Sequence, residues 1–459
     1  MKKLLSLIIM ITMLCSMFAF SGCGKEITTG KKSKTDTTKS SSIIKDASLR
    51  VFKTDTTITE SVIYEKDGVK ITANSIEFTN NQLCINFTFE NSSSKNLSFV
   101  SGSVGYSCNS VNKCMIEGGY INCDVTAGAK AVEEMNIDIT ELQMYGITEV
   151  AEIEVGFEIS DDDYNDTYTG PLSIKTSATG YDSSEINFVN SIQNKELQDE
   201  YKYSVEYIGE EKLFDNASVS VNAECLATNS DEERMLFLEL NNASDSQLCF
   251  VSQKISVNGI KIYEGRWSSV TINAGSKAVE TISVDDIVDK EILEKYGIKD
   301  INSITVYGSV EDFKGNTLVK PTEINIAVTS KESKADISGA EVYNSNDIKI
   351  ISKGFYMSDD EYEDEIHLLL LVQNSSANEI AIESEYNTLT LNTVMVDNTT
   401  ERCKLAPSSF AVLDLEIQSY DYEDTGITGI SDITTATLTL NIETSNGKKI
   451  DSPKITVNA

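Results

Sequence analysis

His367 is the only histidine among the 459 residues. General-base work would need a nucleophile or carboxylate delivered by another strand, and nothing in the sequence indicates one. Its equivalents in the repeats described below are Cys84 and Met235, on the strand phase that points away from a core. The expectation is therefore a surface strand residue. Apart from Cys23, seven cysteines follow the N-terminal segment: Cys84, Cys108, Cys114, Cys123, Cys225, Cys249 and Cys403. None recurs at an equivalent position, and no pair has the Cys-x-x-Cys spacing of a zinc or thioredoxin-like site. Cys108 and Cys114 are close enough to bridge a loop in an oxidising compartment; otherwise the seven act as small hydrophobes. Two acidic runs, Asp161-Asp162-Asp163-Tyr164-Asn165-Asp166 and Asp359-Asp360-Glu361-Tyr362-Glu363-Asp364, offer oxygen ligands of the kind calcium takes. Neither has EF-hand spacing, and the first falls at a hairpin turn, so a solvated turn is expected, with Asp161, Asp162 and Asp163 as the residues a cation would use. Trp267, and Tyr120 at the matching place in another repeat, could stack on a sugar ring; the competing role is a wedge at a sandwich edge. The chain has no Gly-x-x-x-x-Gly-Lys loop, Gly-x-Ser-x-Gly elbow or Gly-x-Gly-x-x-Gly fingerprint. The expectation is no catalytic residue, no metal, no cofactor and no enzyme.

The N-terminus carries a different chemistry. Met1-Lys2-Lys3 is a basic lead, and Leu4 to Ala19 is apolar. At about 1.5 Å per residue this stretch falls short of a bilayer core of about 30 Å, which suits a secretory signal better than a membrane span. Phe20-Ser21-Gly22-Cys23-Gly24 follows and resembles the lipobox of bacterial lipoproteins, with Phe20 where leucine is usual. The resemblance implies cleavage before Cys23 and a diacylglyceryl group on its thiol; two acyl chains anchor firmly where one is marginal. Residues 1–22 are thus expected to be a signal peptide and 23–57 a lipidated tether, rich in Ser, Thr and Lys and disordered. Between Gly24 and Asp55 eight basic residues stand against four acidic ones. The whole chain, by contrast, has 38 Lys+Arg and 72 Asp+Glu, a net −34. Such acidity repels phosphate backbones and excludes nucleic acid as a partner class.

The elements that must position all these residues repeat. Leu83-Cys84-Ile85-Asn86-Phe87-Thr88-Phe89-Glu90-Asn91 aligns with Arg234 to Asn242 and again with Ile366 to Asn374, each followed by a small polar turn. Ala127-Gly128-Ala129-Lys130-Ala131 matches Ala274-Gly275-Ser276-Lys277-Ala278, with a degraded copy at Ala406-Pro407-Ser408-Ser409-Phe410. Tyr145-Gly146-Ile147 matches Tyr296-Gly297-Ile298 and Thr425-Gly426-Ile427. Period-2 alternation predicts that Ile85, Phe87, Phe89, Leu236, Leu238, Leu240, Leu368, Leu370 and Val372 face cores. Short strands and turns such as Asn258-Gly259 in units of about 115 residues read as all-β, three tandem immunoglobulin-like β-sandwiches. The boundaries expected are 58–178, a connecting segment 179–210, 211–332 and 333–459. Helix is expected only at Ser191–Tyr201, Asp285–Tyr296 and around Glu141–Tyr145, with an acidic loop replacing it in copy three.

The lipobox, the Asn-rich turn, the Val257-Asn258-Gly259 step, the Ala-Gly-Ser-Lys stretch and the Leu293-Glu294-Lys295-Tyr296-Gly297-Ile298 helix end together resemble uncharacterised Gram-positive lipoproteins built from tandem Ig-like repeats. The resemblance implies a protein lipid-anchored on the outer face of the cytoplasmic membrane. Its function would be that of a non-enzymatic interaction or scaffold module for an envelope protein or glycan. An extracellular binding protein for a small ligand, a cation or a carbohydrate, is the alternative.

Overall fold

Alternating apolar residues build the strand Gln82–Asn91 and its equivalents Arg234–Asn242 and Asp364–Asn374. All nine inward positions predicted from the alternation are fully buried. Each contributes about 1.5–3 kcal/mol of apolar burial. The computed structural model describes residues 51–102, 105–178, 186–209, 212–288, 290–329, 335–359, 364–400, 402–422 and 425–459. They all belong to one compact unit, Ile44–Ala459. The signal segment, Cys23 and most of the tether lie outside the described residues. With 55% strand against 9% helix, the chain is all-β, and its sheets stack in pairs over three hydrophobic clusters.

The copies share more than a pattern. Each opens with a short strand, Ser61–Lys66, Ser204–Gly209 or Ala340–Ser345, antiparallel to the next long strand. The register slips at the same place each time, at Val62/Tyr64, Val205/Tyr207 and Glu341/Tyr343. Copy two therefore begins by Ser204, inside the segment read as a connector. The tether also ends earlier than expected. Lys53 N donates to Thr148 O, Thr57 and Ser177 bond each other, and the Phe52 ring meets Phe78. These contacts fix residues 52–57 onto copy one.

A buried asparagine closes each long strand. Asn91, Asn242 and Asn374 sit where the chain turns, and each Oδ1 accepts both N–H and O–H of the serine two residues on (Ser93, Ser244, Ser376). Each Nδ2 donates across the sandwich, to Val125 O in copy one, Ile272 O in copy two and Leu405 O in copy three. The amide so occupies backbone carbonyls that would otherwise be buried without a donor. That is the physical content of the Asn-x-Ser repeat.

Consecutive copies are joined by strand pairing. A hairpin tip in one copy lies parallel to the start of a long strand in the next: Cys114 against Lys277, and Ile260 against Phe410. The two junctions are equivalent, because Lys277 and Phe410 each stand opposite the residue preceding the buried asparagine. This register also corrects the alignment of copy three: Phe410, not Ser409, occupies the place of Lys277. Two residues of positive φ turn each tip, at Asn112-Lys113, Asn258-Gly259 and Asn392-Thr393, as two-residue hairpins require.

Helix is short everywhere. Phe188–Ser191 and Lys195–Tyr201 fill the connecting segment, capped by Asn187 and Asn194. Ile139–Met144 serves copy one, and the single helix expected at Asp285–Tyr296 is two, Val284–Ile287 and Lys290–Lys295. Copy three keeps one turn, Ser419–Tyr422, where a loop was expected.

Candidate functional site

The outward phase of the long strands is covered by a neighbouring copy in copies two and three. In copy two, Ala223, Cys225, Ala227 and Phe237 belong to the hydrophobic cluster of copy one. In copy three, Ile351, Tyr356, Leu369, Leu371 and Val412 belong to the cluster of copy two. His367 lies on that covered face, so the expectation of a surface residue is overturned: it is buried. Its ring stacks on Tyr356, centroids 4.4 Å apart and planes at 15°. Nδ1–H donates to Asp414 at 3.1 Å, and Nε2 lies 3.5 Å from Glu365. Burial, with Glu365 nearby, raises the carboxyl of Glu416, which stands directly opposite His367 on the next strand. A histidine oriented by a carboxylate has the form of a base–orienter pair. Enclosed between two copies, it acts as a polar pin in an apolar junction.

The acidic turn is self-contained. Asp161 Oδ1 accepts the backbone N–H of Asp163 and Asn165, at 2.9 and 3.0 Å. Lys95 donates to both Asp161 and Asp163, and Asn96 to Asp162. The Lys95 ammonium and Asn165 hold the Asp161 carboxyl well below the usual range. Asp312 makes the same turn in copy two, accepting from Lys314 and Asn316. The first aspartate thus shapes a hairpin. The second acidic run is outside the described residues at 360–363. Among the described residues no three His, Cys, Asp or Glu groups are grouped as a metal site.

Tyr120 is half-exposed. It precedes Ile121, which pairs with Ser101, whereas Asp161 pairs with Leu97. Tyr120 and the acidic turn therefore sit at opposite ends of one strand, about 13 Å apart along it. Trp267 holds the matching place in the strand Ile260–Ile272, and its side chain lies outside the described residues.

Cys108 and Cys114 are free thiols, not a disulfide. Cys108 packs on the backbone of Gly156, where an added Cβ would sit 2.0 Å from the sulfur, while Cys114 lies on the tip strand against Lys277. Burial pushes both thiols far above the ordinary range, which makes them inert as nucleophiles.

Three features were not singled out from sequence. A cleft of about 750 Å³ opens at the end of copy two, where the turn Asp231–Arg234 meets the helix Lys290–Lys295. Arg234 is clamped there by Asp285, with Nε 3.0 Å from both carboxylate oxygens and both Nη2 and the backbone N–H donating as well. Glu232, Glu294, Lys290 and Lys299 line the rest, a mixed-charge wall suited to a polar ligand. Copy one makes this turn with only Asn80-Asn81, so the longer polar stretch from Asn229 to Glu233 in copy two was the available signal. Second, Tyr106, Tyr168 and Phe313 cluster with centroids 5.3–5.6 Å apart, the last two about half-exposed, where copies one and two meet. Third, carboxyls are buried. Glu141, accepting from the Glu117 and Gly118 N–H groups, is pushed up to about 7 by burial. Glu280 is likewise raised to about 7 inside the core of copy two, against the pull of the Ser268 and Ser252 hydroxyls. It stands directly opposite Leu238, so the alternation Ala278, Glu280, Ile282 already put a carboxyl on a core phase.

No protein-family model matches the chain, and no curated protein matches it. Among solved structures it is similar to one concerning host cell surface retention of a 1.5-MDa bacterial ice-binding adhesin, at 7% identity over 82% of this chain and 90% of that one, with a TM-score of 0.13. A protein of unknown function from Porphyromonas gingivalis matches at 11% identity over 50% and 92% of the two chains, TM-score 0.15. The exo-chitosanase of Amycolatopsis orientalis matches at 7% identity over 88% and 79%, TM-score 0.16. At such TM-scores these likenesses carry no argument about function. Among the described residues no helix is long and apolar enough to cross a membrane.

Proposed function

We propose that the chain is a membrane-anchored surface lipoprotein, tethered through Cys23, that serves as a non-enzymatic interaction and scaffold module of the cell envelope. The observation that carries this reading is the repeated junction. Copies linked by strand pairing and by shared apolar clusters hold their outer surfaces at fixed spacing, as a scaffold needs and a flexible string does not supply. The two-chain anchor and the acidic body suit a module held off an anionic membrane on a basic stalk.

Replacing Cys23 by alanine tests the anchor. Fatty-acid labelling of the chain should vanish and the protein should leave the membrane fraction; a labelled, membrane-bound Cys23→Ala chain overturns the reading. A second reading, binding of a carbohydrate, is supported by the half-exposed Tyr168 and Phe313 rings, which offer stacking faces. Calorimetry with soluble envelope glycan fragments decides it: heat that Phe313→Ala removes supports it, and no heat at millimolar fragment rejects it.

A further inference from the structure

The hairpin tip that makes each junction inside the chain recurs in copy three, where among the described residues it is exposed. Cys114 and Ile260, the tip residues of copies one and two, are each 2% exposed because the next copy covers them. Their equivalent in copy three, Val394, is 42% exposed. Its neighbour Met395 is 61% exposed, against 7% for Met115, whose sulfur accepts the Asn273 N–H across the first junction. The hairpin Thr390–Met395 thus has the form of a docking tip with nothing docked.

The other end of the array is closed. On the outward face of copy one, Thr72, Asn86 and Thr88 stand where copy three has Ile351, Leu369 and Leu371. The polar groups satisfy one another within the sheet: Asn74 and Thr88 bond reciprocally, and Asn86 donates to Ser75. Polar outer faces end repeat arrays. A second copy of this chain therefore finds no apolar acceptor face on copy one. Around the free tip, residues 378–400 include four acidic side chains and no basic one, which calls for a partner of opposite sign.

Resting on the interaction reading above, we infer that the Thr390–Met395 hairpin docks on the free strand edge of a β-sheet in another polypeptide, basic at its rim and apolar on its outer face. The contact repeats the parallel pairing of Ile260 with Phe410, a form of β-augmentation.

Photo-crosslinking with the full chain in its producing cell tests this, with the reactive residue placed at Val394, at Asn86 or at Lys290 in separate experiments. The Val394 probe should give an adduct whose cross-linked peptide is an edge strand of a second protein. Met395→Asp, at an exposed position outside the core, should lower that yield about tenfold and weaken binding of the purified partner alike. Adducts at Asn86 or Lys290 with none at Val394 overturn this inference and leave the interaction reading standing, whereas adducts at no position overturn both. A Val394 adduct to lipid, glycan or a helical peptide, or to Lys130–Asp138 of a second copy of this chain, also overturns it.

Discussion

The residue that says most about energetics is Glu280. Its carboxyl is buried in the core of copy two, and burial moves its titration from about 4.5 to about 7. For an acid raised in the folded state, the unfolded chain ionises first. Stability therefore falls as pH rises from about 4.5 to about 7 and then stays at the lower level. The shift corresponds to about 3 kcal/mol. Glu280→Gln should match the parent in urea denaturation at pH 4 and exceed it by up to that amount at pH 8. Equal stability at both pH values would reject the assignment. Glu141, raised by burial to the same value, adds a slope of the same sign, so the parent keeps a residual pH dependence in the Gln variant. Asn374 works in the opposite sense. Its Nδ2 serves the carbonyls of Asn378, Leu405 and Ala406, the Leu405 bond being buried, and Asn374→Ala takes this donor from all three. The expected loss is about 2–4 kcal/mol by chemical denaturation, while Ser376→Ala, which removes only a hydroxyl at the edge of the same turn, costs about 1 kcal/mol.

At the scale of strands, period-2 alternation was enough to find the cores, because the phase that faces inward is apolar in all copies. It was not enough to find the junctions. The outward phase reads Cys84, Met235 and His367 in the three copies, a mixture that looks like surface. Only when Asn86, Phe237 and Leu369 are set side by side does the outward face grow apolar from copy one to copy three. His367 misleads for the same reason: a lone polar residue on an outward phase is solvated unless a neighbouring copy covers it, and the ring stacked on it, Tyr356, shares a cluster with Tyr296, more than 50 residues away in sequence. Of the two roles that spacing left open for Cys108 and Cys114, a loop bridge or buried small hydrophobes, the structure has the second, with Cys108 against the backbone of Gly156. Leu369→Asn tests the junction as an element. The same residue type is satisfied at Asn86 by Ser75, but the position opposite Leu369 is Gly354, which has no side chain to pair with it. Scanning calorimetry should show the copy-three transition moving to lower temperature and separating from the rest, with a loss of about 2–5 kcal/mol. An unchanged, unsplit endotherm would mean that the copies unfold without regard to this contact.

At the scale of the molecule, the array has a direction. Its first copy ends in a sheet whose threonines and asparagines bond one another, and its last ends in an apolar tip. One position shows how the asymmetry is kept. Val132, Val279 and Val412 are equivalent on the return strand, yet Val412 is 5% exposed beneath copy two and Val132 is 68% exposed, flanked by Lys130 and Glu134. A single valine on a charged edge recruits nothing, because an acceptor needs an apolar sheet face behind the edge as well as the edge itself. Supplying that face should remove the direction. The triple variant Thr72→Ile, Asn86→Leu, Thr88→Leu gives copy one the residues that copy three presents to copy two. Its tip and acceptor would then be complementary at opposite ends of one chain, a heterologous contact that does not close on itself. Sedimentation of the purified chain should show concentration-dependent head-to-tail association in the triple variant and none in the parent. Adding Met395→Asp to the triple variant should return it to the parent's behaviour, because the same tip is the donor. Association that survives Met395→Asp would point to unspecific stickiness of the new face and would refute the directional array.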